Sequence, residues 1–227
     1  MKNQAFSVVY NSKYNFLVGD ESRKQMNEQY YDAVLHIKTV GEQKGFNKSV
    51  HYHRYEPTPY SGLDELLNQY EITSTDRIVD FGCGKGRLNF YMYHKCGASV
   101  VGIEMNEEFY KEAMENLERY ARKVRNSKDK IQFEYCLAQE YEINPCDNRF
   151  YFFNPFSVQV FMNVVNNILR SVEEVEREVD IILYYPSEDY IFFLENQTTF
   201  ELKKEVKLPG AYEKNGNERF LVYRFEC

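Results

Sequence analysis

The sequence lacks an excess of positive charge. Its 227 residues include 28 lysines and arginines against 35 aspartates and glutamates, so the net charge is −7. This balance disfavours a protein that wraps nucleic acid with a basic surface. One basic run lies near the end of a predicted helix, where cations complement the helix dipole, and we interpret it as a solvated helix end. The run consists of Arg119, Arg122, Lys123, Arg125, Lys128 and Lys130.

The sequence also lacks paired cysteine motifs. Its five cysteines stand at irregular intervals without a CxxC pair, and an odd number cannot all pair within one chain. A disulfide scaffold and a zinc ribbon are therefore both excluded. His51 and His53 have no third ligand at a suitable spacing, so no metal site is predicted.

Targeting and membrane-spanning signals are missing from the pattern as well. The N-terminal residues hold only the short apolar patch 6–10, which is not the apolar region of a secretory signal. Residues 150–169 carry no charge over the length that a membrane-spanning helix needs. Pro155 and several asparagines interrupt that stretch, which favours a strand, a turn and a helix in a soluble core. We therefore expect a cytoplasmic protein without a membrane partner.

Material for a large core is present. Apolar residues make up 43% of the sequence and aromatic residues 16%. From residue 77 onward the apolar pattern alternates between the period of a strand and that of a helix, which predicts βαβ units and a parallel sheet. Helices are expected at 86–95, at 107–124 and from Val158 onward. The predicted parallel strands are residues 77–81, 99–104, 131–135, 150–153 and 180–185.

The C-terminal segments predict an antiparallel pair. Residues 200–208 and 219–225 are strand-like, and the loop between them contains Asn215-Gly216, a turn sequence. Five parallel strands closed by this hairpin make a doubly wound, mostly parallel, seven-stranded α/β sheet with a Rossmann-like topology.

A helical extension precedes this sheet. Its apolar residues follow at helical spacing and predict a helix over 23–40, and a second helix is expected before the first strand. The two capping boxes that open these helices are Ser22 with Gln25 and Ser61 with Asp64. We therefore divide the chain into an N-terminal extension, residues 1–60, and a core domain, residues 61–227.

The most informative motif joins the first strand to the next helix through a glycine loop. Gly82, Gly84 and Gly86 follow the pattern G-x-G-x-G, in which a ligand can approach the bare backbone. A dinucleotide fold would have G-x-G-x-x-G, and Arg87 stands where that third glycine would be, so a nicotinamide oxidoreductase is disfavoured. Asp80 before the loop suits a ligand ammonium, and Glu104 at the end of the second strand suits ribose hydroxyls.

Residues 75–225 resemble the class I S-adenosylmethionine-dependent methyltransferases through the V-D-F-G-C-G-K-G run and the acid at Glu104. The resemblance implies S-adenosylmethionine as cofactor. It also implies that Asp80 lies near the methionine amino group and that Glu104 holds the ribose. The remaining implied contacts are Gly82, Cys83 and Gly84 along the methionyl and sulfonium region, Gly86 in the loop, Met105 beside the adenine, and Ala138 with Gln139 at the adenine amino group. Those last two substitute for the family's acid, whose position holds Leu137.

The end of the fourth strand carries the candidate catalytic residues. Asn154-Pro155-Phe156 resembles the [DN]-P-P-[YF] loop of methyltransferases that act on planar amino groups, with one proline missing. In that family Asn154 would accept a hydrogen bond from the target amino group while Phe156 stacks on the acceptor. The alternative is that Asn154 only caps the helix that begins near Ser157.

The predicted function is therefore transfer of a methyl group to an unidentified acceptor, with an amino nitrogen favoured. The segment before the core is expected to close the site through Tyr55 or Tyr60. The acidic charge favours a small-molecule or protein acceptor over nucleic acid. The alternative function is a non-catalytic S-adenosylmethionine-binding module that acts as a partner or regulator of another enzyme. Neither a general base nor an oligomeric state is predicted.

Overall fold

A computed structural model describes residues 20–40 and 55–226, with side chains from residue 27 onward. Seven strands and six helices are found in these ranges. The helices are α1 (Asp20–Val34), α2 (Tyr60–Gln69), α3 (Arg87–Cys96), α4 (Glu107–Ala121), α5 (Val158–Glu174) and α6 (Glu188–Gln197). The strands are β1 (Arg77–Phe81), β2 (Ser99–Glu104), β3 (Ile131–Tyr135), β4 (Arg149–Phe152), β5 (Val179–Tyr184), β6 (Glu201–Lys207) and β7 (Arg219–Phe225).

All seven strands form one sheet in the order β3-β2-β1-β4-β5-β7-β6. Strands β1 to β5 pair in parallel, whereas β7 is antiparallel to both β5 and β6. The predicted doubly wound sheet with an antiparallel C-terminal hairpin is confirmed. The strand order reverses between β1 and β4, and in such sheets ligands bind at the carboxyl ends of the strands beside this reversal.

Two hydrophobic clusters cover the two faces of the sheet. Strand β5 is buried along its whole length, as expected of a parallel strand with helices on both faces. Helix α5 packs on one face through a continuous apolar stripe. That stripe consists of Val160, Phe161, Val164, Val165, Ile168 and Val172. The uncharged stretch 150–169 is therefore a core strand, a turn and the start of a core helix, and no helix in the described ranges is long and apolar enough to cross a membrane.

Helix α1 ends at Val34, so the expected helix over 23–40 is too long. His36 adopts a left-handed conformation with φ 54°, which stops the helix. The Asp32 carboxylate then accepts hydrogen bonds from the Thr39 backbone N–H at 2.6 Å and the Thr39 hydroxyl at 2.7 Å. This turn buries Leu35 and Ile37 in the same core cluster as the sheet. The described part of the extension is thus packed against the core domain, and its role as a lid stays a prediction.

Both predicted capping boxes are wrong in detail. Helix α1 already begins at Asp20, two residues before the first predicted cap. Helix α2 begins at Tyr60 with Pro59 as its N-cap residue, so Ser61 is inside the helix and is not its cap. Helix α6 was not expected at all. His51 and His53, considered as metal ligands, lie outside the described residues.

Candidate functional site

The candidate site lies at the carboxyl edge of the sheet, where β1, β2, β4 and β5 end side by side. Asp80 is the fourth residue of β1 and pairs across the sheet with Gly102 of β2. Glu104 is the last residue of β2, and Asn154 follows β4. The topology therefore brings together the three polar residues that the sequence placed in the site.

Asp80 is a buried carboxyl, 4% exposed. With the Asn89 amide oriented to suit its neighbours, its nitrogen donates to Asp80 Oδ2 at 3.0 Å and its oxygen accepts from the Gly102 N–H at 3.0 Å. A Cβ on Gly102 would lie 2.7 Å from both the Asn89 side-chain amide and the Cys83 sulfur, so only glycine leaves room for them. Burial, and secondarily the neighbouring charge of Glu104, raises the pKa of Asp80 to about 8.

Glu104 joins the end of β2 to the glycine loop. Its Oε2 accepts the Gly84 backbone N–H at 2.9 Å and its Oε1 accepts the Asn106 N–H at 2.7 Å. Burial raises the pKa of Glu104, although these backbone N–H groups oppose the shift by stabilising the ionised form. The side chain is only 7% exposed, so it is more enclosed than a residue at an open cleft edge would be.

All three glycines of the loop have left-handed backbones, with φ 79° at Gly82, 55° at Gly84 and 83° at Gly86. A Cβ at Gly82 would lie 2.7 Å from the Pro155 Cβ, and a Cβ at Gly84 would overlap the Tyr55 ring. Thus the Asn154 loop approaches the glycine loop on one side and the N-terminal extension approaches it on another.

Gly86, predicted in the cofactor loop, has a packing role. It is the N-cap residue of α3, and a Cβ there would lie 2.5 Å from the Phe133 ring. The residue therefore allows the helix to pack closely on the sheet.

Tyr55 is the residue of the extension that covers the glycine loop. Its hydroxyl donates to the Thr39 carbonyl at 3.1 Å, and its ring packs 4.8 Å from that of Phe109. Tyr60, the other candidate, is fully buried and donates its hydroxyl hydrogen to Asp32 at 2.7 Å. Of the two tyrosines considered from the sequence, Tyr55 is the one placed at the loop.

Arg87, directly after the loop, holds the extension in place. Its guanidinium forms an ion pair with Glu28 of α1, donates to the Thr39 hydroxyl at 2.8 Å and donates to the Thr58 carbonyl at 3.2 Å. It also lies 4.5 Å from the centre of the Tyr60 ring. The Arg87 side chain is 4% exposed, so this is a buried ion pair with additional hydrogen bonds.

Asn116 is a further residue that the sequence analysis missed. It accepts the Lys38 N–H at 2.8 Å and donates to the carbonyls of Lys38 at 3.2 Å and Lys85 at 2.9 Å. One buried amide therefore ties the extension to the glycine loop. Its position on the apolar stripe of α4, among Ala113, Leu117 and Tyr120, was the available signal, since a buried amide needs hydrogen-bond partners.

The other predicted cofactor contacts differ in accessibility. The Cys83 side chain is buried, and burial raises the pKa of its thiol well above the ordinary value. Met105 is 37% exposed beyond the end of β2. Ala138 and Gln139 form a 3₁₀ turn after β3, where Ala138 is buried and the Gln139 carbonyl accepts from Asn167 at 3.0 Å. Contacts of these residues with a cofactor stay predictions.

Asn154 has a left-handed backbone, φ 40°, and is half-buried. Ser157, and not Asn154, is the N-cap residue of α5, so the capping alternative does not describe this loop. Phe156 is 2% exposed, packs against Phe152 at 6.1 Å, and accepts the Tyr190 hydroxyl at its carbonyl. A stacking role for Phe156 stays a prediction, and its burial in the core argues against it.

The chemistry of this edge suits a ligand with a cation and hydroxyl groups. Two carboxyl groups stand here, and the charge of Glu104 contributes to the raised pKa of Asp80, so ionising both groups in the free protein is unfavourable. A ligand ammonium would relieve that repulsion, and a ribose diol would donate to Glu104. The residues present therefore fit S-adenosylmethionine. Within the described ranges no cluster of three or more histidine, cysteine or acidic side chains could hold a metal ion.

Comparisons with known proteins agree with this fit. Residues 60–151 match the model of a family described as "Methyltransferase domain". An rRNA adenine N-6-methyltransferase from Escherichia coli is 27% identical over 97 residues, which are 43% of this chain and 39% of that protein. A protein-lysine N-methyltransferase from Saccharolobus islandicus (strain REY15A) is 32% identical over 66 residues, which are 29% of this chain and 41% of that protein. The chain thus spans about two fifths of the length of these curated relatives.

A solved structure shows the same fold over nearly the whole chain. The human methyltransferase 10 domain containing protein superposes with a TM-score of 0.55 at 11% identity and covers 91% of this chain and 97% of that one. The predicted Rossmann-like fold, with its antiparallel C-terminal strands, is therefore shared with solved methyltransferase structures. The match over residues 60–151 supports the predicted resemblance to the class I S-adenosylmethionine-dependent methyltransferases and S-adenosylmethionine as the predicted cofactor.

Proposed function

We propose that this protein is an S-adenosylmethionine-dependent methyltransferase that transfers a methyl group to an amino nitrogen. The observation that carries the proposal is the placement of Asp80 and Glu104 beside a glycine loop that directly contacts the Asn154 loop through Gly82 and Pro155. Cofactor-binding groups and a candidate acceptor-binding group thus share one edge of the sheet.

The chain's own residues supply alignment. S-adenosylmethionine, when bound, supplies a methyl group already activated by its sulfonium. Asp80 would hold the methionine ammonium and Glu104 the ribose. The side-chain amide oxygen of Asn154 would accept a hydrogen bond from the acceptor amino group and so direct the nitrogen lone pair toward the methyl group. Tyr55 would exclude water on the side of the glycine loop. Alignment of this kind supplies most of the rate of such a displacement.

The names of the relatives support an amino nitrogen as acceptor. One relative is named for adenine N-6 in rRNA and another for protein lysine, and both of these positions are amino groups. The low positive charge disfavoured nucleic acid, but relatives named for rRNA show that this argument does not exclude RNA. The acceptor is therefore proposed as an amino group, of a nucleobase or of a protein or small molecule.

The test is a transfer reaction with methyl-labelled S-adenosylmethionine and fractions of cell extract. Label that appears in one fraction, on a product that mass spectrometry identifies as N-methylated, would support the proposal. Label on oxygen or carbon would contradict the amino acceptor. S-adenosylhomocysteine binding without transfer into any fraction would favour the alternative of a non-catalytic binding module.

Binding of S-adenosylhomocysteine is expected to release a proton from Asp80. Because the pKa of Asp80 is raised to about 8 in the free protein, the carboxyl is mostly protonated at pH 7 and must ionise to pair with an ammonium. Affinity should therefore rise as the pH increases from 6 to 8. Calorimetry at pH 7 in buffers of different ionisation enthalpy should give about one proton released per ligand bound. Asp80→Asn should abolish this release, and an unchanged release in that variant would contradict the assignment.

Glu104→Gln is expected to weaken S-adenosylhomocysteine binding by about 1–3 kcal/mol, because it removes a charged acceptor for two hydroxyls. It should also lower the melting temperature, since one amide oxygen cannot accept from both Gly84 and Asn106. Glu134→Gln on the exposed side of β3 is the matched control and should change neither quantity. Reduced stability with full affinity would show that Glu104 only holds the loop.

A further inference from the structure

Two residues with unusual backbones stand next to each other at the carboxyl edge of the sheet. Strands β4 and β5 pair in parallel up to Phe152 with Leu183, and two residues further along each strand come Asn154 and Tyr185. Asn154 has φ 40° and Tyr185 has φ 51°. A left-handed backbone at a bulky residue such as tyrosine costs free energy, and such conformations concentrate at functional sites. Both conformations therefore cost free energy, and they occur at the ends of neighbouring strands beside the proposed acceptor site.

The Tyr185 side chain is held from two directions. Its ring lies 6.4 Å from both the Phe153 and the Tyr184 rings, and its hydroxyl accepts from Asn215 at 2.7 Å. Asn215 belongs to the loop between β6 and β7. Glu218 of the same loop accepts a hydrogen bond from the Tyr184 hydroxyl at 2.6 Å. The C-terminal hairpin therefore fixes the ring at the edge of the sheet.

Phe153 and Tyr185 form an aromatic corner that is accessible, unlike Phe156, the residue that the sequence motif suggested for stacking. Phe153 and Tyr185 are half-buried, whereas Phe156 is enclosed in the core on the other face of the sheet. An aromatic face that is fixed and partly exposed is suited to stack on a planar ring.

We propose that Tyr185 is an acceptor-binding residue whose ring stacks on a planar, amino-bearing aromatic acceptor while Asn154 binds its amino group. This inference rests on the proposed methyl transfer to an amino nitrogen and narrows it to an amino group attached to an aromatic ring of nucleobase size. A lysine side chain has no planar ring and would not use this corner.

The probe is 2-aminopurine riboside, which is planar, carries an amino group and loses fluorescence when it stacks. Because the chain contains no tryptophan, the probe can be excited selectively. With S-adenosylhomocysteine present, the wild-type protein should quench the probe saturably. Tyr185→Leu should weaken this binding by at least about 10-fold, and Tyr185→Phe, which keeps the ring, by less than about threefold.

Two further variants separate binding from stability. Tyr185→Gly removes the ring but relieves the left-handed backbone, so it should lose probe binding while its melting temperature stays at or above that of Tyr185→Leu. Tyr212→Leu is the matched control. Tyr212 is on the β6–β7 loop that also holds Asn215, but its ring contacts Lys207 instead of Tyr185. It should bind the probe as the wild type does.

Absence of saturable quenching by the wild-type protein, or equal affinity in Tyr185→Leu, would overturn the inference. Calorimetry with S-adenosylhomocysteine alone distinguishes this failure from failure of the proposed function. If S-adenosylhomocysteine bound with normal heat but the probe did not bind, only the inference of a planar acceptor would be rejected. If wild-type protein gave no heat, the methyltransferase proposal itself would fail.

Discussion

Replacement of Asn154 by alanine is expected to lower the rate of methyl transfer by about 100-fold, because a misaligned acceptor loses most of the benefit of proximity. The affinity for S-adenosylhomocysteine should remain unchanged, since the interaction exists only when the acceptor is bound. Initial rates with labelled S-adenosylmethionine and the accepting extract fraction measure the first quantity, and calorimetry measures the second.

A matched control is available because Asn126 is also an asparagine with a left-handed backbone, φ 62°. It precedes the 3₁₀ turn Ser127–Asp129, which leads into the amino end of β3, whereas the candidate site is at the carboxyl ends of the strands. Asn126→Ala introduces the same kind of backbone strain and should lower the melting temperature similarly, with full activity. If Asn154→Ala behaved like this control, the Asn154 loop would have no catalytic role.

The sheet could be predicted from the sequence because its strands are short, apolar and separated by clear breaks. The expected bounds of β1, β2, β3 and β7 agree with the structure, and the bounds of β4, β5 and β6 differ by a single residue at either end. A strand that is buried on both faces is a nearly continuous run of apolar residues, so it can be recognised from its own sequence. The glycine loop and Glu104 could be recognised for a similar reason, because their chemistry is local to two strand ends.

Features set by distant contacts could not be predicted. Helix α1 ends at Val34 because Asp32 accepts from Thr39 in a turn whose apolar residues pack on the sheet, and helical spacing alone would continue to residue 40. Helix α6 was missed although Ser187 caps it by accepting from Tyr190, with Phe193 and Leu194 continuing the stripe. A serine cap followed by apolar residues at helical spacing is a signal that the sequence itself contains.

The residues of the site also fall into those that could be predicted from the sequence and those that could not. Asp80, Glu104 and Asn154 are found at strand ends, where topology alone brings them together. The side chains that support them come from separate parts of the chain. Arg87 contacts Glu28, 59 positions away, and Asn116 contacts Lys38, 78 positions away. No spacing rule connects such residues, so only the folded chain shows that the extension and the glycine loop form one unit.

The Arg87–Glu28 ion pair joins the start of α3 to helix α1 of the extension. Arg87→Met is expected to lower the free energy of unfolding by about 3 kcal/mol, because it leaves the Glu28 carboxylate in a largely buried place without its partner. Urea denaturation measures this loss. Lys111→Met, which breaks the exposed pair with Glu107, is the control and should cost less than about 0.5 kcal/mol.

The loss in Arg87→Met should also depend on pH. Burial already raises the pKa of Glu28 above 4.5 while Arg87 opposes this shift, so removing Arg87 raises the pKa further. A carboxyl whose pKa is higher in the folded state loses stability as the pH rises from the unfolded value through the folded one. The variant should therefore be more destabilised at pH 8 than at pH 5. The double variant Arg87→Met/Glu28→Leu should recover much of the stability, because no unpaired charge remains. Equal losses at both pH values, with no recovery in the double variant, would show that Arg87 acts through its bonds to Thr39 and Thr58 instead.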